Sequence, residues 1–321
     1  MVLVTGADGF LGFQIVKYLS GKGIQVRALV RNKNKQRAEI KNVTYCFGDL
    51  LDISSLEEAI KGVDNIIHSA AMVSFQPKDK DALYKINVEG TANVVNVALH
   101  YQVKKIVFIS SVEALDIEQK DHIVTESIKL EIKHISTTYG ITKHLAEREI
   151  WRGIAEGLEG VILNPGGIIH GSHFNAHPMM MVPYTEQGLT YHMEGFAPFI
   201  DMSDFLQITY RALTEEKFNS QQYIAISENV PFGELVNMLI ESLQVQYKPK
   251  ILPTYMQQLG LAFEYIKSKI TGKEARLTKE YLHLAKRKTR FSNKKITTDF
   301  QLNYKPIRLS LQEAVTAYKQ K

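Results

Sequence analysis

The sequence predicts an α/β fold, a doubly wound parallel sheet with a smaller C-terminal lobe. Three observations predict it. Short apolar runs alternate with amphipathic stretches through the first half, a glycine-rich turn follows the first run at once, and the regular alternation fades after about residue 170. The 321 residues suffice for one large α/β domain with a second lobe. A chain that is 45% hydrophobic and 23% charged is globular rather than disordered.

Strands are expected over Val2 to Thr5, Gln25 to Val30, Asn42 to Phe47, Asn65 to Ser69 and Lys105 to Ser110. Helices are expected near 11–21, 54–61 and 80–102; in the first, Leu11, Ile15, Tyr18 and Leu19 share one face and Gly21 and Gly23 end it. Strand–helix–strand units at this spacing make right-handed crossovers, which predicts parallel strands in the order 3-2-1-4-5. Residues 139–152 read as a further helix, and 161–165 as a strand that stops at its proline. The Met179-Met180-Met181 run reads as pocket or core packing. Beyond Pro249 the chain turns helical, with Leu259, Phe263, Ile266 and Ile270 as an apolar stripe.

Composition excludes several classes. One cysteine, Cys46, cannot build a disulfide framework or a cysteine metal cluster. No apolar run approaches the roughly 20 residues of a membrane span, and MVLVT reads as a buried strand rather than a leader, so a cytoplasmic protein without membrane insertion is expected. The last 55 residues carry 15 basic and 4 acidic side chains. Such a tail suits nucleic acid or anionic lipid, but it equally suits solvated helix faces, and it lacks aromatics interleaved with the basic residues. No nucleic-acid partner is expected. His170, His173 and His177 have ligand-like spacing, yet their segment is rich in glycine and asparagine and reads as loop, so no metal is expected.

The strongest local motif is VLVTGADGFLG, residues 2–12. Gly6, Gly9 and Gly12 leave a strand and open a helix, so the backbone can approach a pyrophosphate at a helix N-terminus. Residues 1–169 therefore read as a Rossmann-type dinucleotide-binding core, to which later elements return, and 170–321 mainly as a substrate-binding lobe with C-terminal helices. The second strand ends at Val30-Arg31 instead of an acid. An arginine there can pair with a 2′-phosphate, and Lys33, Lys35 and Arg37 add positive charge, so NADP is expected, with NAD as the alternative. Asp49 in FGDLLD is placed to accept from an adenine amino group, with Leu50 against the ring; it also suits a turn or helix cap.

Tyr139 and Lys143 form YGITK, an i, i+4 pair on one helical face. An ammonium beside a phenol lowers its pKa from about 10 and equips it to exchange a proton with a carbonyl or alcohol oxygen. Ser110 and Ser111 end a strand upstream, where a hydroxyl can orient the same oxygen.

On these residues the chain resembles the extended short-chain dehydrogenase/reductases of the NAD-dependent epimerase/dehydratase superfamily, most nearly the dihydroflavonol reductase-like and hydroxysteroid dehydrogenase-like members. TGADGFLG, GDLLD, HSAA at 68–71, NVEGTANVV at 87–95, FISS, YGITK, NPGGIIHG at 164–171 and FIDMSDF at 199–205 carry the likeness. It implies that Tyr139 is the proton donor or acceptor, and that Lys143 tunes it and holds the nicotinamide ribose. Ser111 then falls at the catalytic serine position. Asn87 falls where a proton-relay asparagine often stands, though a structural role suits it as well. The resemblance places Gly6, Gly9, Phe10, Leu11, Gly12, Arg31, Asp49, Leu50, Ala70, Ala71, Pro165 and Ile168 along the cofactor. It also implies a homodimer through the 80–102 and 139–152 helices, with Tyr101 and Ile141 contributing.

Sugar-nucleotide members usually have Tyr-Gly after the serines and arginine at the later proline segment. This chain has Val112-Glu113-Ala114-Leu115 and Asn164-Pro165. That favours a reductase or dehydrogenase of a small carbonyl or alcohol substrate. A nucleotide-sugar epimerase or dehydratase ranks second, since Glu113 stands where sugar dehydratases keep a glutamate, and a non-catalytic NADP-binding sensor or scaffold third. Met72, Phe75, Glu113, His170, Phe174, Met180, His192 and Phe196 are the expected substrate-pocket residues.

Overall fold

A computed structural model describes residues 1–321 except 34–36, 38, 118–122, 129, 176–177, 189–190, 273, 276 and 321. The chain opens with β1 (Val2–Thr5), α1 (Phe10–Gly21), β2 (Val26–Val30), β3 (Val43–Phe47), α2 (Ile53–Ile60) and β4 (Asn65–His68). The expected 80–102 helix is one continuous rod in three parts: α3 (Lys80–Leu83), a π-helical turn at Tyr84–Glu89 and α4 (Gly90–His100). A π turn inserts an extra residue and re-aims its side chains, and this one carries Asn87. Next come β5 (Lys105–Ile109), β6 (Ile123–Val124), α5 (Thr138–Ala155), β7 (Glu159–Pro165) and β8 (Gly167–Ile169).

The main sheet has seven parallel strands in the order β11-β7-β5-β4-β1-β2-β3, which contains the expected 3-2-1-4-5 order. Its outer strand, β11 (Gln221–Ala225), returns to β7 after β10 (Phe196–Asp201) and α7 (Met202–Thr214). Every residue of β1 and β5 is buried, as strands covered by helices on both faces must be. One face packs against α1 and α7 around Ile15, Leu19, Phe205 and Ile208. The other packs against α2, α4 and α5 around Leu56, Val94, Ile106 and Ile150.

The second lobe lies beyond the strand ends. It contains α6 (Met181–Glu186), β9 (Tyr191–His192), β12 (Glu228–Pro231) and α8 (Phe232–Leu243), followed by β13 (Lys250–Ile251) and α9 (Thr254–Thr271). Then follow α10 (Lys279–Lys286), β14 (Arg290–Phe291), α11 (Lys294–Phe300) and α12 (Ile307–Lys319), of which α11 returns to the main sheet, with Phe300 against Phe218 and Tyr223. A small sheet, β12-β10-β8, joins this lobe to the core through β8, directly after β7. Among the described residues no helix is long and apolar enough to cross a membrane.

Candidate active site

A cleft of about 1000 Å³ runs along the carboxyl ends of the strands. At one end the glycine loop forms its floor. Gly6 has φ 68°, and a Cβ there would stand 2.7 Å from the Ala70 Cα; a Cβ on Gly12 would stand 2.2 Å from the Gly6 carbonyl oxygen. Only bare backbone fits, which is the cradle a dinucleotide pyrophosphate requires. Gly9 caps α1 without a side-chain hydrogen bond, and the first turn holds no acid, so its N–H groups and dipole face the cleft uncontested.

All the residues expected along the cofactor line this cleft: Gly6, Gly9, Phe10, Leu11, Gly12, Arg31, Asp49, Leu50, Ala70, Ala71, Tyr139, Lys143, Pro165 and Ile168. Asp49 also accepts from the Leu51 N–H at 2.9 Å, so it keeps its turn role as well. Asp8, in the loop itself, escaped the sequence argument. It receives two bonds from Arg37, at 2.9 and 2.7 Å.

Helix α5 presents Tyr139 and Lys143 at the far end. Thr137 caps it, accepting from the Gly140 N–H at 3.0 Å. A Cβ on Gly140 would lie 2.4 Å from the Glu113 carbonyl oxygen, so glycine lets the helix close on the turn after Ser111. Tyr139 and Lys143 are both buried, and Ser111, whose hydroxyl accepts from the Glu113 N–H at 3.2 Å, lines the same end of the cleft. The i, i+4 spacing predicts a lowered phenol. Burial and the neighbouring Glu113 instead hold it above its ordinary value, and only Ser111 pulls it down. The Lys143 ammonium donates to the Ile109 carbonyl at 2.8 Å and lies 4.2 Å from the Phe108 ring centroid. Burial brings it down to about 7, with Glu147 opposing the shift.

Asn87 does not line the cleft. Its amide donates to the Met72 carbonyl and the Thr142 hydroxyl, at 3.0 Å each, and accepts from the Met72 N–H at 2.8 Å. It pins the loop after β4 to α5. His68 is held between Thr5 and Thr91, at 2.7 and 3.0 Å, and burial lowers it to about 3, so it stays neutral.

Of the expected pocket residues, Met72, Phe75 and Glu113 line the cleft and the other five do not. Phe174 is buried in the C-terminal lobe against Tyr318, and Met180 lies between the buried Met179 and the cleft-lining Met181. His170 turns to Ser172 and to the Phe10 ring, His192 to the Met193 carbonyl, and Phe196 to Arg290. The wall is built instead by Met181, Phe199, Phe232, Tyr281 and Leu284, with Arg287 beside them. These come from segments whose return to the site has no local sequence signal. Arg287 is buried and bonds Glu113 at 2.9 Å and Asp116 at 3.3 Å. Among the described residues no group of three or more His, Cys, Asp or Glu is arranged for a metal ion; His177 lies outside them.

The family model of the NAD dependent epimerase/dehydratase family matches residues 2–222. The chain belongs to that family. Among its relatives, Sterol demethylase protein B of Methylococcus capsulatus is 27% identical over 264 residues, covering 81% of this chain and 80% of the relative. Cinnamoyl-CoA reductase 1 of Petunia hybrida is 28% identical over 339 residues, covering 100% and 92%. The crystal structure of gox2253 is similar with a TM-score of 0.83 at 28% identity, covering 100% of this chain and 98% of that one. As a member of this family, the chain has an NAD(P)-binding oxidoreductase/epimerase fold suited to redox or epimerisation chemistry on a small substrate.

The expectation of NADP does not stand. Several similar structures hold NAD, among them MoeE5 with UDP-glucose, TM-score 0.78 at 19% identity, and the UDP-glucose 4-epimerase of Thermus thermophilus, TM-score 0.74 at 20% identity. The local chemistry gives a reason. Arg37 is spent on Asp8, Arg31 stands exposed at the rim, and Lys35 lies outside the described residues. Of the four basic residues behind that expectation, Arg37 is thus neutralised and Lys33 lies over the Phe47 ring, 5.8 Å from its centroid.

Proposed function

We propose that this chain is an NAD-dependent enzyme whose reaction begins with hydride transfer at an alcohol or carbonyl carbon, with Tyr139 exchanging the proton at the attached oxygen. The observation that carries this is the convergence of Ser111, Tyr139 and Lys143 on one end of a cleft whose other end is the bare glycine cradle. When bound, NAD accepts or supplies the hydride. The glycine loop and the start of α1 would hold its pyrophosphate, and Pro165 and Ile168, which line the same cleft, would lie along it. Ser111 orients the substrate oxygen. Tyr139 takes the proton as an alcohol is oxidised or returns it as a carbonyl is reduced, with Lys143 one turn further along the same helix face at the cofactor end of the cleft.

Two readings differ in where the hydride goes. In a reductase or dehydrogenase it leaves with the cofactor, and the wall supports this for a largely apolar substrate. Met72, Phe75, Phe199, Phe232 and Leu284 form it, and its one arginine, Arg287, is already held by two carboxylates, so no free cation awaits a sugar pyrophosphate there among the described residues. The reductase name of the Petunia relative agrees. In an epimerase the hydride returns to the same substrate, and the comparisons lend this reading the greater weight. The family model and the NAD complexes of sugar-nucleotide enzymes both support it.

A stoichiometric assay separates the two. The NAD-loaded protein is mixed with a panel of hydroxysteroids, aryl alcohols and UDP-sugars, and absorbance of reduced nicotinamide is followed alongside product analysis. Net reduction in proportion to substrate supports the dehydrogenase; an isomerised sugar with no net change supports the epimerase. Absence of NAD binding would overturn both.

A further inference from the structure

Helix α9 is built inside out. Gln257 is the only fully buried residue of its 18, and the helix meets the protein through a narrow strip where Gly260 packs against Leu277. Its apolar side faces water. Tyr255, Met256, Leu259, Phe263, Ile266 and Ile270 fall on one continuous arc, and all are exposed, Leu259 to 65% and Ile270 to 79%. A helix on a globular protein normally turns such a stripe to the core, and an apolar surface of this size marks a binding face.

The charges name the occupant. Lys267 and Lys269 border the arc on its two sides, and the exposed Lys250 stands just before the helix. The one acid of α9, Glu264, is tucked in at 13% exposure and paired with Lys267 at 2.9 Å. The next acid along the chain, Glu274, pairs with Lys78. A second copy laid on this arc would bring Lys250 and Lys269 against a face that offers them no acid. Anionic headgroups would meet those lysines while the apolar arc entered the acyl boundary.

We propose that α9 is an interfacial helix that docks the enzyme on anionic lipid bilayers, lying on the membrane rather than across it. This stands on the geometry of α9 alone and is independent of which hydride reaction the cleft performs. Its position links surface to site. The segment after α9 is tied to the loop at 72–79 by the Gln76 amide on the Ala275 carbonyl, at 2.6 Å, and leads into α10, whose Tyr281 and Leu284 line the cleft.

Vesicle flotation of the full chain tests it. Binding to phosphatidylcholine vesicles containing phosphatidylglycerol should exceed binding to phosphatidylcholine alone by about tenfold or more. The double variant Phe263→Glu/Ile266→Glu should lose vesicle binding while keeping its NAD affinity and melting temperature. Lys267→Glu/Lys269→Glu should abolish the preference for anionic vesicles. Failure of the native chain to float, or flotation unchanged in the first variant, would overturn the proposal. So would a native dimer that becomes monomeric in that variant without floating, since the arc would then belong to a second copy.

Discussion

The Glu147 carboxylate accepts a 2.5 Å hydrogen bond from the Ser110 hydroxyl, deep inside the protein and beside the site rather than in it. Asn164 donates to the same carboxylate oxygen at 2.6 Å and to the Ser111 carbonyl at 2.8 Å, and Gln222 donates to the other oxygen at 3.1 Å. Glu147 thus ties the serine strand to the helix that carries Lys143, one turn away. Burial raises it to about 7, and its negative charge props up the Lys143 ammonium.

Replacing Glu147 with glutamine removes that prop. The Lys143 pKa should fall further below about 7, so the ammonium is lost at lower pH and the alkaline limb of kcat/KM moves toward acid. A second readout follows from linkage. A carboxyl raised from 4.5 to about 7 stabilises the fold fully below 4.5 and withdraws that contribution as pH rises through 7. The variant should flatten this part of the stability profile. An unmoved alkaline limb would refute the coupling.

Tyr139→Phe keeps the ring that meets Phe75 edge-on and deletes only the hydroxyl. Turnover should fall by roughly 10²–10⁴-fold while NAD binding persists. Calorimetric titration with NAD and a rate on an identified substrate give the two numbers. Full activity would remove Tyr139 from the mechanism.

Arg287→Leu strands Glu113 and Asp116 as buried carboxylates without their cation. The cost should be about 3–5 kcal/mol in urea unfolding, the usual penalty for leaving a buried charge unpaired. An unchanged midpoint would mean the pair is not buried in solution.

Arg37→Ala frees the Asp8 carboxylate beside the bare glycine floor. Repulsion should weaken NAD about tenfold with little change in stability. Adding Asp8→Asn should restore most of the affinity. If the double variant binds as poorly as the single one, Arg37 contacts the cofactor itself.

The nucleotide half of the site was legible because its determinants are local. Strand, glycine turn and helix follow one another within residues 2–21, and the serine strand end and YGITK each declare their geometry over a few residues. The substrate half was not. Tyr281, Leu284 and Arg287 reach the cleft only because the C-terminal lobe folds back across more than a hundred residues, and no periodicity records such a return. The histidine-rich segment misled for the converse reason. Its polar residues satisfy one another locally, as His170 and His173 do through Ser172. The NADP expectation rested on Arg31 with three further basic residues in support, and one of these, Arg37, is taken by Asp8, near in space and 29 positions away in sequence.

Arg287 stands in the wall of the cleft yet neutralises Glu113 and Asp116, which follow the serine strand. Anyone reshaping this pocket by design inherits that bond: a smaller or apolar side chain at 287 enlarges the cavity only if both acids are replaced with it.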